Sequence, residues 1–310
     1  IRAIREGNGR YLFQGDCDTS TVKGVVAILL AMFDGKTAPE IERFDVPLSF
    51  MFPELEELLI LHDLGSLNDP DVCSNGHVHL TIRSWLLRFD DRLILVDGCV
   101  GNHKNRIHWP SWHQRSDDGW LRQLAALGVK PQDVDMVFCT HLHADHVGWN
   151  TKLENGHWVP TFPNATYLTG RIEYEHWLGE SVKGDKHGSF GDSVLPIVEA
   201  EQMMFLEGGT NLARGLDVEL APGHTPGQLM LHAKGSKKSA VFCGDVLHSP
   251  LQLRFPDVSS TICFDRKEAA KTRRKLLSRV SDSGDYLLPS HFCEPGWCQI
   301  ISDGDSFSMY

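Results

Sequence analysis

From Val78 onward the chain settles into short apolar, β-branched runs separated by polar or Gly- and Pro-containing breaks, the pattern of strands packed in a core. Val78 to Phe89 and Arg92 to Asp97 are two such runs, and the Asp90-Asp91 pair between them predicts a hairpin. Val134 to Cys139, bounded by Asp133 and Thr140, reads as a buried strand. Three further runs, Val218 to Ala221, Ala240 to Cys243 and Tyr286 to Leu288, repeat the signal. Apolar residues at helical spacing mark Trp120 to Leu127, stopped by Gly128, and helices are also expected at Arg171 to Leu178 and Lys267 to Val280. The last has Leu276, Leu277 and Val280 as its apolar members among many Lys and Arg, the pattern of a solvated amphipathic helix.

Ahead of these elements the longest apolar run, Gly24 to Phe33, is only about half of the roughly 20 residues that span a bilayer, so it reads as a buried strand. Residues 1 to 23 are polar with weak periodicity, which suggests an N-terminal arm able to dock on a second copy in a homodimer. No repeat, low-complexity tract or linker divides residues 24 to 310, and one domain is expected there. The N-terminus shows no charged, apolar and small-residue leader pattern. A net charge of -11 and a pI near 5.8 argue against a nucleic-acid partner and against an anionic membrane. The eight cysteines form no C-x-x-C pair; Cys139 and Cys243 fall inside apolar runs and read as core filler. A reducing, cytoplasmic setting fits that usage.

The segment with most chemistry is His141-Leu142-His143-Ala144-Asp145-His146, three imidazoles and a carboxylate within six residues, just past the end of a predicted strand. The alternate residues His141 and His143 can point one way while the adjacent Asp145 and His146 project another, which suits two neighbouring ions. Zinc takes imidazole nitrogen and carboxylate oxygen with an open position for water, and two ions about 3.5 to 4 Å apart can share that water as hydroxide. His224, Asp245 and His291 each follow one of the later apolar runs, and each has Gly or Pro beside it to turn the chain. A lone His-x-His arises easily among 16 histidines, but the full ordered set does not. His62, His77, His79, His157, His187 and His232 have no such company and are assigned no function.

This motif and its three spaced partners resemble the metallo-β-lactamase superfamily, which includes N-acyl-homoserine lactonases, methyl parathion hydrolase and glyoxalase II. The resemblance runs from about Val78 to Cys293 and is nearest to the lactonase and methyl parathion hydrolase branch. It implies one metal held by His141, His143 and His224, a second by Asp145, His146 and His291, and Asp245 bridging both. It also implies an α/β fold, a four-layer αββα sandwich with two mixed sheets. The implied cofactor is two divalent ions, zinc first, with manganese, iron or cobalt as alternatives. By the same resemblance Asp97 lies behind the metals and steadies a ligand, with Thr140 as a weaker candidate for that part.

The implied activity is hydrolysis of a lactone or related carboxylic ester or amide through a metal-bridging hydroxide. Asp145 is the catalytic candidate, able to orient the attacking hydroxide or pass its proton to the leaving group. His248, three residues beyond Asp245, and Trp149 are candidate substrate contacts, and Tyr167 and Tyr174 are candidates for the tyrosine that orients substrate in lactonases. The loop Gly101 to Ser116, with Trp109 and Trp112, and the residues Trp149, Trp177 and Phe190 suggest an apolar or aromatic small-molecule substrate, or else are core pieces. Phosphotriester cleavage is the alternative hydrolysis, and an iron-dependent oxidation is the alternative chemistry. An RNA-processing nuclease conflicts with the acidic charge.

Overall fold

The computed structural model describes residues 2–5, 11–14, 43–52, 55, 72–74, 76–185, 188–236, 238–293 and 295–310. The strand expected at Gly24 to Phe33, and Cys17, His62 and His187, lie outside them. The chain divides into two compact units, residues 1–41 with 83–207 and residues 42–82 with 208–310. Among the described residues no helix is long and apolar enough to cross a membrane.

The first unit is built on a five-stranded mixed sheet in the order Met203–Leu206, Thr166–Gly170, Met136–Phe138, Arg92–Val96, Trp85–Phe89. Its first three pairings are parallel and the last is the expected hairpin. Asp90 makes the hairpin turn with a left-handed φ of 50°, which a short polar side chain tolerates. Ile94, Leu95, Val137, Phe138 and Leu168 are buried, as central strands of a parallel sheet require. Helix Gly119–Ala126 ends before Gly128, whose φ of 71° only glycine takes at little cost. Helix Arg171–Val182 runs one turn beyond expectation. Because parallel strands share a direction, Asp97 and the His141 to His146 segment leave from the same sheet edge.

The second unit carries the other five-stranded sheet, Asn211–Ala213, Leu216–Leu220, Leu229–Lys234, Ser239–Gly244, Tyr286–Pro289, antiparallel except for its last pairing. That one parallel pairing and the hairpin reversals carry the ends of Leu216–Leu220, Ser239–Gly244 and Tyr286–Pro289 to a common edge. His224, Asp245 and His291 follow those ends. Gly244 bends the chain with φ 51°, as its place before Asp245 suggested. Helix Arg266–Val280 starts at Asp265, whose side chain accepts the Lys267 and Glu268 amides.

Two expectations need correction. The run Val78 to Phe89 is not one strand: it breaks at residues 82–84 into His77–Thr81, which pairs with Arg43–Pro47 in the second unit, and Trp85–Phe89. Hydrophobic pattern alone reports burial, not the partner strand. Helix Arg266–Val280 is not solvated on all its basic positions, because Arg273 is fully buried. Its guanidinium donates to the carbonyls of Val246, Pro256 and Val258 at 2.7 to 2.9 Å and to the Ser259 hydroxyl. Cys139 and Cys243 are core filler, fully buried, and burial pushes the Cys139 thiol up to about 12.

One buried cation in the first unit carries a pH prediction. The Lys104 ammonium, wholly shielded from solvent, donates to the Thr151 hydroxyl at 2.6 Å and the Asp192 carbonyl at 3.0 Å. Burial pushes its pKa down to about 7, with the Asp192 carboxylate opposing. An unfolded lysine titrates near about 10.4, so between those values the unfolded chain holds a proton that the folded one has shed. Stability therefore gains up to about 1.4 kcal/mol per pH unit as pH rises from about 7 to about 10. Lys104→Met removes that contribution: its stability relative to wild type, from urea denaturation, is expected to be greatest at pH 7 and to shrink towards pH 10. A pH-independent difference would contradict the assignment.

Candidate metal centre

The first unit brings together His141, His143, Asp145, His146 and Asp97. His143 caps the short helix Ala144–Val147, so the motif is a loop followed by one helical turn rather than a loop throughout. Donor atoms of His141 and His143 lie within 4.8 Å of one another, and so do those of Asp145 and His146. Asp97 is buried at the end of its strand with φ 59°. It accepts the Thr140 amide at 2.8 Å, the Thr140 hydroxyl at 2.9 Å and His146 Nδ1 at 2.9 Å. Since the single hydroxyl proton of Thr140 is spent on Asp97, Thr140 Oγ1 accepts from His141 Nδ1, 3.1 Å away. One carboxylate thus fixes two imidazoles, His146 directly and His141 through Thr140, and leaves the Nε2 of each as the ligand atom.

The second unit brings together His224, Asp245, His248 and His291, all buried. Asp245 Oδ2 lies 3.3 Å from His224 Nε2, 3.3 Å from His248 Nε2 and 3.1 Å from His291 Nε2. His291 Nδ1 stands 2.7 Å from the Thr81 carbonyl, an acceptor only, so that nitrogen carries the proton. His248 stacks on His291 with an interplanar angle of 4° and meets His224 edge-on. Burial lowers the pKa of His248. The loop bearing His224 can lie against helix Arg266–Val280 because position 223 is glycine, where a Cβ would stand 2.2 Å from the Ala269 nitrogen.

The donor chemistry fits divalent cations. With Nδ1 of His291 committed to a carbonyl, a neutral His291 presents an Nε2 lone pair to the Asp245 carboxylate 3.1 Å away. His146 repeats the arrangement, its Nε2 standing 3.7 Å from Asp145 Oδ2. A lone pair facing a carboxylate is repulsive unless a proton or a cation lies between, and imidazole with carboxylate is the donor set zinc prefers.

The other expectations divide. Trp177 and Phe190 belong to the first unit's core, Trp149 is buried and stacked on Trp120 at 5.5 Å, and Trp112 stacks on Trp109 at 4.9 Å. Tyr167 is fully buried with its hydroxyl donating to the Asn150 carbonyl, and Tyr174 packs on Phe205. Glu173 was missed by the sequence reading: it is fully buried and accepts both the Leu142 amide at 3.1 Å and the Trp177 indole at 2.7 Å. The signal available was its i, i+4 spacing to Trp177 on a helix face that has to be buried.

Comparison with known proteins agrees with this geometry. The profile of the metallo-beta-lactamase superfamily matches residues 79–291, and that of the Fe-S metabolism associated domain matches residues 1–59. The N-acyl homoserine lactonase AttM of Azorhizobium caulinodans is 40% identical over 70 residues, which are 23% of this chain and 22% of that protein. The chain therefore spans about a fifth of the length of that relative. The N-acyl homoserine lactonase of Bacillus cereus is 24% identical over 231 residues, 70% of this chain and 83% of that protein. The solved structure of AidC, a dizinc quorum-quenching lactonase with its product N-hexanoyl-L-homoserine, superposes with a TM-score of 0.71 at 22% identity, covering 87% of this chain and 91% of that one. That likeness shows the metallo-β-lactamase fold. Since the superfamily profile takes in well over half of the sequence, the chain belongs to the metallo-beta-lactamase superfamily.

Proposed function

We propose that His141, His143, Asp145, His146, His224, Asp245 and His291 hold two divalent ions, zinc first, and that the protein is a hydrolase opening a lactone or related carboxylic ester or amide. The observation that carries this reading is the orientation of the imidazoles: Asp97, Thr140 and the Thr81 carbonyl hold the far nitrogens of His146, His141 and His291, so each offers Nε2 to a cation. Ions bound there supply a nucleophile from water near neutral pH and polarise the scissile acyl oxygen. Asp145, with its carboxylate partly exposed, carries the proton to the leaving alkoxide. His248, beside Asp245, is the residue we assign to substrate contact; Trp149, buried and stacked on Trp120, is not retained for that part. We further propose that residues 24 to 310 form the catalytic domain, with residues 1 to 23 as an arm.

Support for a lactone comes from the relatives above, three of whose names specify that substrate class. Metal-replete protein should be profiled against lactones of graded acyl length, aryl esters, amides, β-lactams and phosphotriesters, with kcat/KM as the readout. A lactone is expected to lead by orders of magnitude. A phosphotriester in first place would overturn the carboxylic reading, and bound iron with a visible absorption band and no hydrolysis would overturn both.

A further inference from the structure

We propose that the cluster of the buried Lys104 and Arg106 with the half-buried Asp192 is a positioning device for the metal-ligand loop: it holds the π-helix Phe190–Val194 and, through Ser189, fixes Leu142 between His141 and His143. This rests on the reading of His141 and His143 as metal ligands.

The path is continuous and lies within the first unit. Ser189, itself buried, donates its hydroxyl to the Leu142 carbonyl at 3.0 Å, while Glu173 receives the Leu142 amide, so both main-chain groups of the residue between the two histidines are held by side chains. Ser189 immediately precedes a π-helix, whose wide i to i+5 turn is rare and is closed here by the Leu195 amide on the Phe190 carbonyl. Its first amides, like those of any helix, have no main-chain acceptor within it, and side chains supply one. Asp185 accepts the amides of Gly188 at 2.8 Å, Phe190 at 3.0 Å and Gly191 at 3.2 Å. Lys104 and the Thr151 hydroxyl both donate to the Asp192 carbonyl. Arg106 grips the Asp192 carboxylate with two nitrogens at 2.7 and 2.9 Å and reaches the Gly188 carbonyl at 2.9 Å.

Two buried cations around one carboxylate are a poor way to gain stability, since desolvation of buried ions offsets most of their attraction and apolar residues of like size serve as well. What such a cluster does provide is a fixed register. Lys104 also lies 3.7 Å over the Trp158 ring, which ties hairpin Thr151–Glu154 and His157–Pro160 to the same point. The loop Gly101 to Ser116, the hairpin and the π-helix therefore meet at Asp192, and Ser189 passes their position to the ligand loop.

The test uses apoprotein of the full chain titrated with Co2+ in competition with a chelator, for wild type, Ser189→Ala and Asp192→Asn. Groups bonded directly to a metal-ligating side chain are typically worth about 10- to 100-fold in affinity, and because Ser189 and Asp192 act through the main chain of Leu142 a smaller loss, at or below about tenfold and larger for Ser189→Ala, is expected. The visible Co2+ spectrum is expected to change in band position or intensity, which a purely structural role would not produce, while far-UV circular dichroism of the apoproteins is retained. Asp192→Asn keeps the side-chain volume and decides the matter should Ser189→Ala fail to fold. If wild type takes up two equivalents and both variants match its affinity and spectrum, the positioning role is overturned and the metal reading stands. If wild type takes up none, the metal reading itself falls.

Discussion

Asp245→Asn is expected to lower turnover by about a thousandfold or more and to release metal on dialysis. The carboxylate lies within 3.1 to 3.3 Å of three imidazole Nε2 atoms in its own unit. Asparagine has the same shape, so the buried pocket keeps its packing, but the amide is a weak ligand and carries no charge to balance a cation. Loss of a direct ligand exceeds the roughly 10- to 100-fold that an outer partner costs in metal affinity. Because we assign Asp245 to both ions, stoichiometry by atomic emission after dialysis should fall from two towards zero, rather than to one. Retention of one tightly held ion with partial activity would show that Asp245 serves a single metal, and retention of both with full turnover would refute its place as a ligand.

Much of this site was legible because its chemistry is local in sequence. The His141 to His146 segment declares itself in six residues, and His224, Asp245 and His291 are recognisable by their common position after strand-like runs. Asp97 was reached only through the family resemblance, since a carboxylate closing an apolar strand reads equally well as a turn cap. Lys104, Arg106, Glu173 and Arg273 were not legible, and for one reason. A charged side chain in a loop or on a helix looks solvated in sequence, and its burial depends on carbonyls and acids tens of residues away, as Arg106 depends on Asp192 and Arg273 on Val246 and Val258. The break between Thr81 and Trp85 leaves only a faint mark, the adjacent polar residues Arg83 and Ser84 after the alternation of Val78 to Ile82, and nothing in the pattern says that the two halves pair with different strands. Aromatic residues left two readings open, a pocket wall or the core, and Trp177 and Phe190 take the second.

Gly148→Ala is expected to destabilise the protein by about 3 to 5 kcal/mol and to loosen the first unit's metal ligands, although nothing in the backbone angles demands glycine there. Gly148 has φ −57° and ψ −46°, ordinary for any residue. The demand comes from close approach: a Cβ would stand 2.0 Å from the Val100 carbonyl carbon and oxygen and 2.4 Å from the Gly101 nitrogen. All three are main-chain atoms, so no rotamer change relieves the clash and one segment has to move. The two segments are joined by Gly148 N to the Cys99 carbonyl at 2.6 Å, Trp149 N to the Gly98 carbonyl at 2.7 Å, and Gly98 N to the His146 carbonyl. Separating them strains these bonds and draws Asp97 away from His146 Nδ1, which frees the imidazole that Asp97 orients. Gly179→Ala in helix Arg171–Val182 is the matched comparison, since a Cβ there meets nothing within 4 Å. In a helix interior that exchange stabilises by about 0.5 to 1 kcal/mol. Thermal midpoints of the two variants should therefore move in opposite directions, and only Gly148→Ala should weaken Co2+ binding. A Gly148→Ala protein as stable as wild type, with unaltered metal affinity, would mean that the two main-chain segments are not held as close as the structure places them.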